Sequence, residues 1–429
     1  MKRRKRKTYL LLSDSFCHGS IKGDLIVRSL WARESITRCK EYSKCYNFIA
    51  TCVNVPKTSV DLPYHVPPEC RNKFVTLEDF YPTPETTHRE YQARLPLLTR
   101  SLPRYARKAL AAMAKILATG ARADIVHTSA SPSLLGILAQ NILRGLGKKR
   151  GILVIDADYI GDFDFYLSRS KWPYKILLLI LKYMYYVIFS ISVARADIVY
   201  VIGYKNIERF HYFNKRVYPM RAAWYYTWEW EAMEKIIKEK LEKIREKKRL
   251  GVVFAGKLIE KKGAHLLPEL IGRADKSKFT FHIYGDGPLR SKLNDLIDGV
   301  NVVYEGYKPY GLELFRDFAK HDITLILNLS NEEPRMIYDS WLSGLAVIAP
   351  NNPSIAAIIR HGETGFLHHF DTREILGLLE KLYNDRGLLE KIIINSRVES
   401  RKYSIDKTIR QQLRHLSLFE GGEQTCIQK

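Results

Sequence analysis

The chain has 429 residues, more than one hydrophobic core normally organises, so its length predicts two domains of roughly 200 residues each. Its 46% hydrophobic and 27% charged residues exclude a disordered or fibrous protein. The formal net charge of +23 favours an anionic partner, such as a phosphorylated substrate, nucleic acid or an acidic membrane surface.

The N-terminus joins a basic run at residues 2–7 to a short apolar stretch at 9–12. The run is typical of a solvated tail, with lipid or polyphosphate contact as the alternative. The apolar stretch is too brief for a signal peptide, so we expect the chain to stay in the cytoplasm. The six cysteines show no close CxxC pairing, which favours reduced, structural thiols over a zinc site.

The first half alternates short apolar strands with helical patterns, which predicts a doubly wound α/β domain over residues 1–225. The predicted strands cover residues 8–12, 47–53, 124–127, 152–155 and 197–202. The predicted helices cover residues 24–35, 104–118, 133–144 and 172–195.

Alternating Glu and Lys then mark residues 227–249, which predicts an exposed helix and a linker at 226–250. A second strand series follows and predicts another parallel α/β sheet over 251–400, before a C-terminal helix and tail at 401–429. Its predicted strands cover residues 251–255, 279–284, 301–304, 323–328 and 346–349. Two Rossmann-like halves in tandem should face each other across a cleft that holds the ligand.

Three motifs in the second half carry candidate chemistry. Lys257 follows a buried strand, and Lys261-Lys262-Gly263 is predicted to open a helix, where cations and backbone N–H groups would hold an anion such as a diphosphate. Solvated surface charge is the alternative. Gly285-Asp286-Gly287 ends the next strand in a turn that a ligand can approach closely. Carboxylates between Glu332 and Asp339 could grip sugar and ribose hydroxyls, or could be surface acids.

The second half resembles the C-terminal half of family 4 glycosyltransferases in the order and spacing of four motifs. These are Lys257 with Lys262-Gly263, the Gly285 loop, the 332–344 run and the 362–367 motif. The resemblance implies a retaining enzyme of the GT-B fold, whose C-terminal domain holds the nucleotide.

The resemblance also assigns roles to single residues. Lys257 lies where the family usually has an arginine and Lys262 where it has a lysine, both facing the donor diphosphate, and the neighbouring Lys261 should point away from it. Asp339 stands in for the second glutamate of the family's pair, which binds ribose. The first glutamate falls on Asn331, so Glu332 or Glu333 would enter the sugar pocket. Glu333 is preferred because it directly precedes a proline.

The first half resembles the same family more weakly, through residues 124–127 and 196–201. His127 is the candidate for the family's histidine near the donor sugar, with a structural histidine as the alternative. Gly19 and Gly23 would form the loop that faces the donor phosphates, or would simply shape a turn.

Two acidic triplets, Asp156-Ala157-Asp158 and Asp162-Phe163-Asp164, look like metal-binding DxD signatures. Such short patterns recur by chance, and here they fall in the acceptor-side domain, so we expect no metal. We also expect no cofactor beyond the nucleotide-diphosphate sugar that serves as co-substrate.

Residues 174–194 are almost wholly apolar, with Lys175 and Lys182 as their only charges. The length would admit a membrane span, but the doubly wound half needs a helix here, so a buried or membrane-lying helix fits better. We expect peripheral contact with anionic lipid, and a glycan or lipid-linked acceptor.

Two other functions stay open. A sugar-nucleotide epimerase shares the GT-B fold and would release a modified sugar. A basic nucleic-acid-binding protein would suit the net charge, but the basic residues are dispersed and no nucleic-acid-binding motif stands out, so we expect no nucleic-acid partner.

Overall fold

The computed structural model describes residues 6–12, 16–19, 25–28, 31–54, 63–77, 95–128, 134–147, 149–155 and 159–420. Over these residues the chain forms two sheets with helices around them. Gly23, Asp156 and Asp158 lie outside the described residues.

The first sheet has ten described strands in the order β10-β9-β8-β7-β1-β4-β2-β3-β5, with β6 beside β4. They are β1 (Thr8–Leu12), β2 (Phe16–Gly19), β3 (Leu25–Arg28), β4 (Asn47–Asn54), β5 (Pro63–His65), β6 (Phe74–Leu77), β7 (Ile125–Thr128), β8 (Arg150–Ile155), β9 (Ile198–Ile202) and β10 (Val217–Met220). Pairing is parallel except where β3 joins β2 and β5. Part of the predicted helix at 24–35 is therefore wrong, because residues 25–28 pair as an antiparallel strand.

Seven helices accompany this sheet within the described ranges. They are α1 (Trp31–Tyr42), α2 (Pro68–Arg71), α3 (Leu95–Gly120), α4 (Leu134–Gly145), α5 (Tyr159–Leu167), α6 (Tyr174–Arg195) and α7 (Tyr204–His211). The expectation of reduced thiols fails for one pair, because Cys39 of α1 is disulfide-bonded to Cys70 of α2, with the two Cα atoms 6.2 Å apart.

The second sheet is wholly parallel, in the order β13-β12-β11-β14-β15-β16. Its strands are β11 (Leu250–Ala255), β12 (Phe279–Tyr284), β13 (Val302–Gly306), β14 (Ile323–Leu325), β15 (Ala346–Pro350) and β16 (Phe366–His368). Its helices are α10 (Leu267–Arg273), α11 (Leu312–Phe318), α12 (Met336–Leu342), α13 (Pro353–Ala356), α14 (Thr372–Asn384) and α15 (Arg386–Ser400). The predicted pair of doubly wound α/β sheets is confirmed.

The charged linker forms two helices, α8 (Thr227–Ala232) and α9 (Glu234–Lys243), and it is not simply exposed. Ile237 is buried, and so is Lys240, whose ammonium group donates to the carbonyl oxygens of His321 and Gly344. The helix with alternating charges therefore has one buried side as well as an exposed one.

The C-terminal helix α16 (Ile405–Phe419) returns to the first domain. Its buried Gln412 accepts a hydrogen bond from Arg38 of α1, and Arg410 lies 3.2 Å from Glu41 of the same helix. The chain thus crosses between the two domains twice, once before α8 and once before α16.

Helix α6 is long and apolar enough to cross a membrane by length and composition, although only 22% of its most apolar stretch is buried in the protein. Its inward side packs Tyr185 and Phe189 against the core, and Phe189 stacks on Phe210 of α7. The outward side carries seven exposed apolar side chains at helical spacing: Ile176, Leu179, Ile180, Tyr183, Met184, Val187 and Ile191.

Candidate functional site

Three loops meet at the carboxyl edge of the second sheet, where open α/β sheets hold ligands. They follow the adjacent strands β12, β11 and β14, and they contain the three motifs recognised in the sequence. Residues that are up to about 80 positions apart in the sequence therefore share one edge of the fold.

The glycines let the first two loops touch through their backbones. A Cβ on Gly285, whose φ is +107°, would lie 2.0 Å from the carbonyl oxygen of Gly256, and one on Gly287 would lie 2.6 Å from that of Leu258. Leu258 N–H also donates to the Asp286 carbonyl oxygen at 2.9 Å. Gly285 and Gly287 are thus required for loop packing, whatever ligand they face, and the Asp286 side chain is exposed.

The lysine loop is not the helix start that the sequence predicts. Residues 260–262 form a 3-10 turn, Gly263 adopts the left-handed φ of +75°, and α10 begins only at Leu267. Gly263 lies against the chain just beyond β14, because a Cβ there would be 2.1 Å from the Leu327 carbonyl oxygen. Leu329 N–H donates to the Lys261 carbonyl oxygen at 2.9 Å, which fixes the loop beside the residues that follow β14.

Three lysines crowd this loop. Burial and the nearby charges of Lys262 and Lys261 lower the pKa of Lys257. Burial also opposes the charge on Lys261, but Glu332 and Asp162 together raise the pKa of Lys261. Such a group of cations is suited to a di-anion.

Glu332 is the carboxylate that meets these lysines. Its Oε1 accepts from Lys262 Nζ and from Asn328 Nδ2, the latter at 2.8 Å, and its Oε2 lies 3.6 Å from Lys261 Nζ. Burial opposes ionisation, yet Lys262 and Lys261 lower the pKa of Glu332. Lys261 and Lys262 thus reach the same carboxylate, and the expectation that Lys261 points away from the donor diphosphate stays a prediction.

Glu333, the preferred sugar-pocket residue, lies elsewhere. It is buried and connects the domains: Oε1 accepts from the Ala222 N–H at 2.9 Å and from the Tyr338 hydroxyl at 2.7 Å, and Oε2 accepts from Arg221 at 3.2 Å. Burial raises the pKa of Glu333 despite Arg221. The structure thus places Glu332, and not Glu333, with the lysines.

Asp339 is buried on α12. The Tyr310 hydroxyl donates to its Oδ1 at 2.8 Å, and Arg335 Nε donates to its Oδ2 at 3.0 Å. Burial raises the pKa of Asp339 to about 6. Arg33 of α1 lies over the Tyr310 ring at 4.9 Å and pairs with Glu229 of α8, so this carboxylate belongs to a polar network that reaches the first domain.

His127 lies inside the first domain. It is fully buried, its Nδ1 is hydrogen-bonded to the Tyr9 hydroxyl, and burial, with a contribution from Arg38, lowers the pKa of His127 well below its usual value. The alternative of a structural histidine fits this environment. Gly19 is the last residue of β2 and pairs with Leu25 of β3, so it lies in a strand and not in a loop.

The two carboxylates of the DxD triplets that the structure describes form ion pairs with lysines. Asp162 lies 2.6 Å from Lys261, and Asp164 pairs with Lys182 of α6. Among the described residues, one group has spacing suitable for a metal, namely His282, Glu305 and His321. It lies within the second domain, and one nitrogen of each imidazole already has a partner: His282 Nδ1 is hydrogen-bonded to Glu305 at 3.1 Å, and His321 Nε2 to the Tyr284 hydroxyl at 3.0 Å.

Sequence reasoning missed the contacts between the domains. The pair Asp162–Lys261 and the pair Arg169–Glu260, at 2.9 Å, both join the region of α5 to the lysine loop. No motif predicts these pairings, since only the fold brings α5 opposite the second sheet.

The raised pKa of Asp339 predicts a pH-dependent stability. Between about pH 4 and pH 6 the folded protein binds more protons at Asp339 than the unfolded chain, so stability falls as pH rises. The shift from 3.8 to about 6 corresponds to roughly 3 kcal/mol. We expect Asp339→Asn to remove this dependence, measured as the difference between the unfolding free energies of wild type and variant across pH 3.5 to 7.

Asp317 is the matched control, because Lys308 and Lys320 lower the pKa of Asp317 although partial burial opposes them. Asp317→Asn should change the pH dependence in the opposite direction. Parallel curves for wild type and Asp339→Asn would contradict the assignment.

Comparison with known proteins agrees with this geometry. Residues 249–385 match the family model "Glycosyl transferases group 1". An uncharacterized 41.2 kDa protein in the cps region of Klebsiella pneumoniae is 31% identical over 150 residues, which are 33% of this chain and 41% of that protein. Exopolysaccharide phosphotransferase SCO2592 of Streptomyces coelicolor is 25% identical over 142 residues, 32% of this chain and 15% of that protein. The chain thus spans less than half the length of either relative.

Similar solved structures cover nearly the whole chain. The structure of Anabaena Alr3699/HepE, solved with UDP, has a TM-score of 0.62 to this chain at 14% identity. The match covers 96% of this chain and 99% of the Anabaena chain. Sucrose-phosphate synthase from Thermosynechococcus elongatus has a TM-score of 0.65 at 12% identity, with 97% and 100% covered. The resemblance predicted from motif order is confirmed at the level of group 1 glycosyl transferases, whose family model matches residues 249–385, and the chain as a whole has the two-domain GT-B fold.

Proposed function

We propose that this protein is a glycosyltransferase that moves a hexose-type sugar from a nucleotide-diphosphate sugar to a glycan or lipid-linked acceptor. The observation that carries the proposal is the group of Lys257, Lys261 and Lys262 beside the Gly285–Gly287 loop at the carboxyl edge of the second sheet. The Anabaena protein with the same fold has been solved with UDP-glucose, which supports a nucleotide sugar as the donor.

The proposed transfer retains the anomeric configuration. The bond between the anomeric carbon and the diphosphate oxygen breaks, and the acceptor oxygen bonds to that carbon from the same face. The acceptor proton passes to the departing phosphate oxygen, so no protein base is needed. The lysines contribute by stabilising negative charge that grows on the leaving diphosphate.

Lys262 provides the direct test. Because its ammonium group should stabilise the departing diphosphate more than the intact donor, Lys262→Ala should lower kcat by about 10²-fold. A thermal-shift screen of nucleotide sugars first identifies the donor, since a bound donor raises the unfolding temperature. Steady-state turnover with that donor is then measured.

Lys235→Ala is the control, because this side chain on α9 is 88% exposed and pairs only weakly with Glu239, at 3.8 Å. It should keep wild-type turnover. Full turnover in Lys262→Ala would show that this lysine does not serve the leaving group. No stabilisation by any nucleotide sugar would count against the enzyme itself.

We also propose that transfer needs no metal ion, since lysines can supply the positive charge that a DxD-bound metal provides in other enzymes. Turnover, or slow donor hydrolysis, should persist in EDTA at wild-type rate. Loss of activity that Mn²⁺ restores would contradict this, and Asp162→Asn would then show whether the metal depends on the acidic triplet.

We propose a peripheral location on the cytoplasmic face of a membrane, supported by the outward side of α6. Soluble monomers rarely expose so continuous an apolar surface. Near it, Trp172 and Tyr212 are 73% and 86% exposed, and aromatic side chains of this kind favour the interface between lipid and water. The exposed cations Lys171, Lys175 and Arg195 match anionic headgroups. A lipid-linked acceptor would suit this location.

Paired substitutions on α6 test the location. Ile180→Glu with Tyr183→Glu should lower binding to phosphatidylglycerol-containing vesicles by at least about tenfold in a sedimentation assay, because charge is poorly accommodated in the apolar layer. Both side chains are exposed, so the fold should survive. Val398→Glu, on an exposed position of α15, is the control and should bind like wild type.

Wild-type protein should leave the vesicles in alkaline carbonate. Retention there would indicate a membrane span. Dimerisation in solution that the paired substitutions abolish, without vesicle binding, would assign the surface to a second copy of the chain.

A further inference from the structure

The carboxylate of Glu332 occupies the lysine loop from within the same domain. It accepts hydrogen bonds from Lys262 and Asn328 and lies 3.6 Å from the Lys261 ammonium group. Its side chain is 17% exposed and that of Lys261 is 12% exposed, so water screens these contacts only in part. One internal anion is therefore shared by two cations, of which Lys261 also pairs with Asp162 at 2.6 Å.

These contacts are the kind that a phosphate oxygen makes. An ionised carboxylate and a phosphate both accept charge-assisted hydrogen bonds, and both favour the same ammonium donors. A diphosphate that reaches Lys261 and Lys262 must therefore compete with Glu332 for them, and it also meets repulsion from a like charge a few ångströms away.

We propose that Glu332 is the built-in counter-ion of the phosphate subsite. It holds Lys261 and Lys262 in place when no nucleotide is bound, and it competes with the incoming diphosphate for their N–H groups. The inference rests on the proposed function for the identity of the anion, a nucleoside diphosphate group. Its consequence is weaker retention of the nucleoside diphosphate product, which favours release after each transfer.

This role differs from that of a sugar ligand. A carboxylate that bound sugar hydroxyls would strengthen binding of the nucleotide sugar and leave inorganic pyrophosphate, which has no hydroxyls, unaffected. A competing counter-ion weakens binding of every diphosphate, including pyrophosphate. When the charge is removed, pyrophosphate binding should therefore stay the same if Glu332 is a sugar ligand and should tighten if Glu332 is a counter-ion.

Titration calorimetry with inorganic pyrophosphate and with UDP, ADP and GDP tests the counter-ion. Glu332→Gln keeps the size of the side chain and removes its charge, so we expect pyrophosphate and the preferred nucleotide to bind about tenfold more tightly. Glu332→Ala repeats the test without any acceptor. Glu260→Gln is the matched control: it makes the same charge change within the lysine loop, but Glu260 pairs with Arg169, so its affinities should stay within about twofold.

Weaker or unchanged pyrophosphate binding in Glu332→Gln and Glu332→Ala would overturn the inference. Equal tightening in Glu332→Gln and Glu260→Gln would also overturn it, because net charge alone would then explain the effect. If wild type and all variants bind none of these ligands, the proposed function itself fails. Thermal unfolding of each variant confirms that the affinities belong to folded protein.

Discussion

Repulsion between like charges is the constraint on which the arrangement at the second sheet depends. Lys257, Lys261 and Lys262 lie in one loop, and their mutual repulsion would separate them unless anions stood between them. Glu332 from the loop after β14 and Asp162 from α5 provide those anions, one from each domain. The loop is therefore stable without a ligand and still carries an excess of positive charge, which is the condition for binding a di-anion reversibly.

Charge balance would be of no use without backbone contacts that hold the loops at fixed separation. Gly263 lies against Leu327, and Gly285 lies against Gly256, at distances that any Cβ would prevent. The backbone contacts, which carry no charge, thus fix the positions of the loops, and the charged side chains provide the affinity for an anion. This division of roles leaves Glu332 able to move off the lysines when an anion arrives, because its own partners are side chains and the backbone contacts that fix the loops do not involve it.

Local sequence patterns correctly predicted the features that depend on neighbours along the chain, namely the two α/β sheets and the three motifs at one sheet edge. These patterns failed where contacts with distant segments of the chain determine the local structure. Residues 25–28 look helical beside the apolar positions of α1, yet they pair with β2 and β5. The sequence predicts Glu333 in the sugar pocket, yet its carboxylate accepts hydrogen bonds from Arg221 and Ala222, which lie where the chain crosses between the domains. Spacing alone also could not reveal that His127 would be enclosed with Tyr9.

Helix α5 connects the proposed phosphate subsite with the apolar surface of α6. Asp162 and Asp164 are two residues apart, so they project from nearly opposite sides of the helix. Asp162 pairs with Lys261 across the domains, while Asp164 pairs with Lys182 of α6 and Phe163 lies 5.5 Å from Tyr185. About half a turn of helix, roughly 3 Å of rise, thus separates the two contacts. A surface that docks on lipid through α6 would therefore hold the lysine loop close to the headgroup layer, where a lipid-linked acceptor presents its hydroxyl.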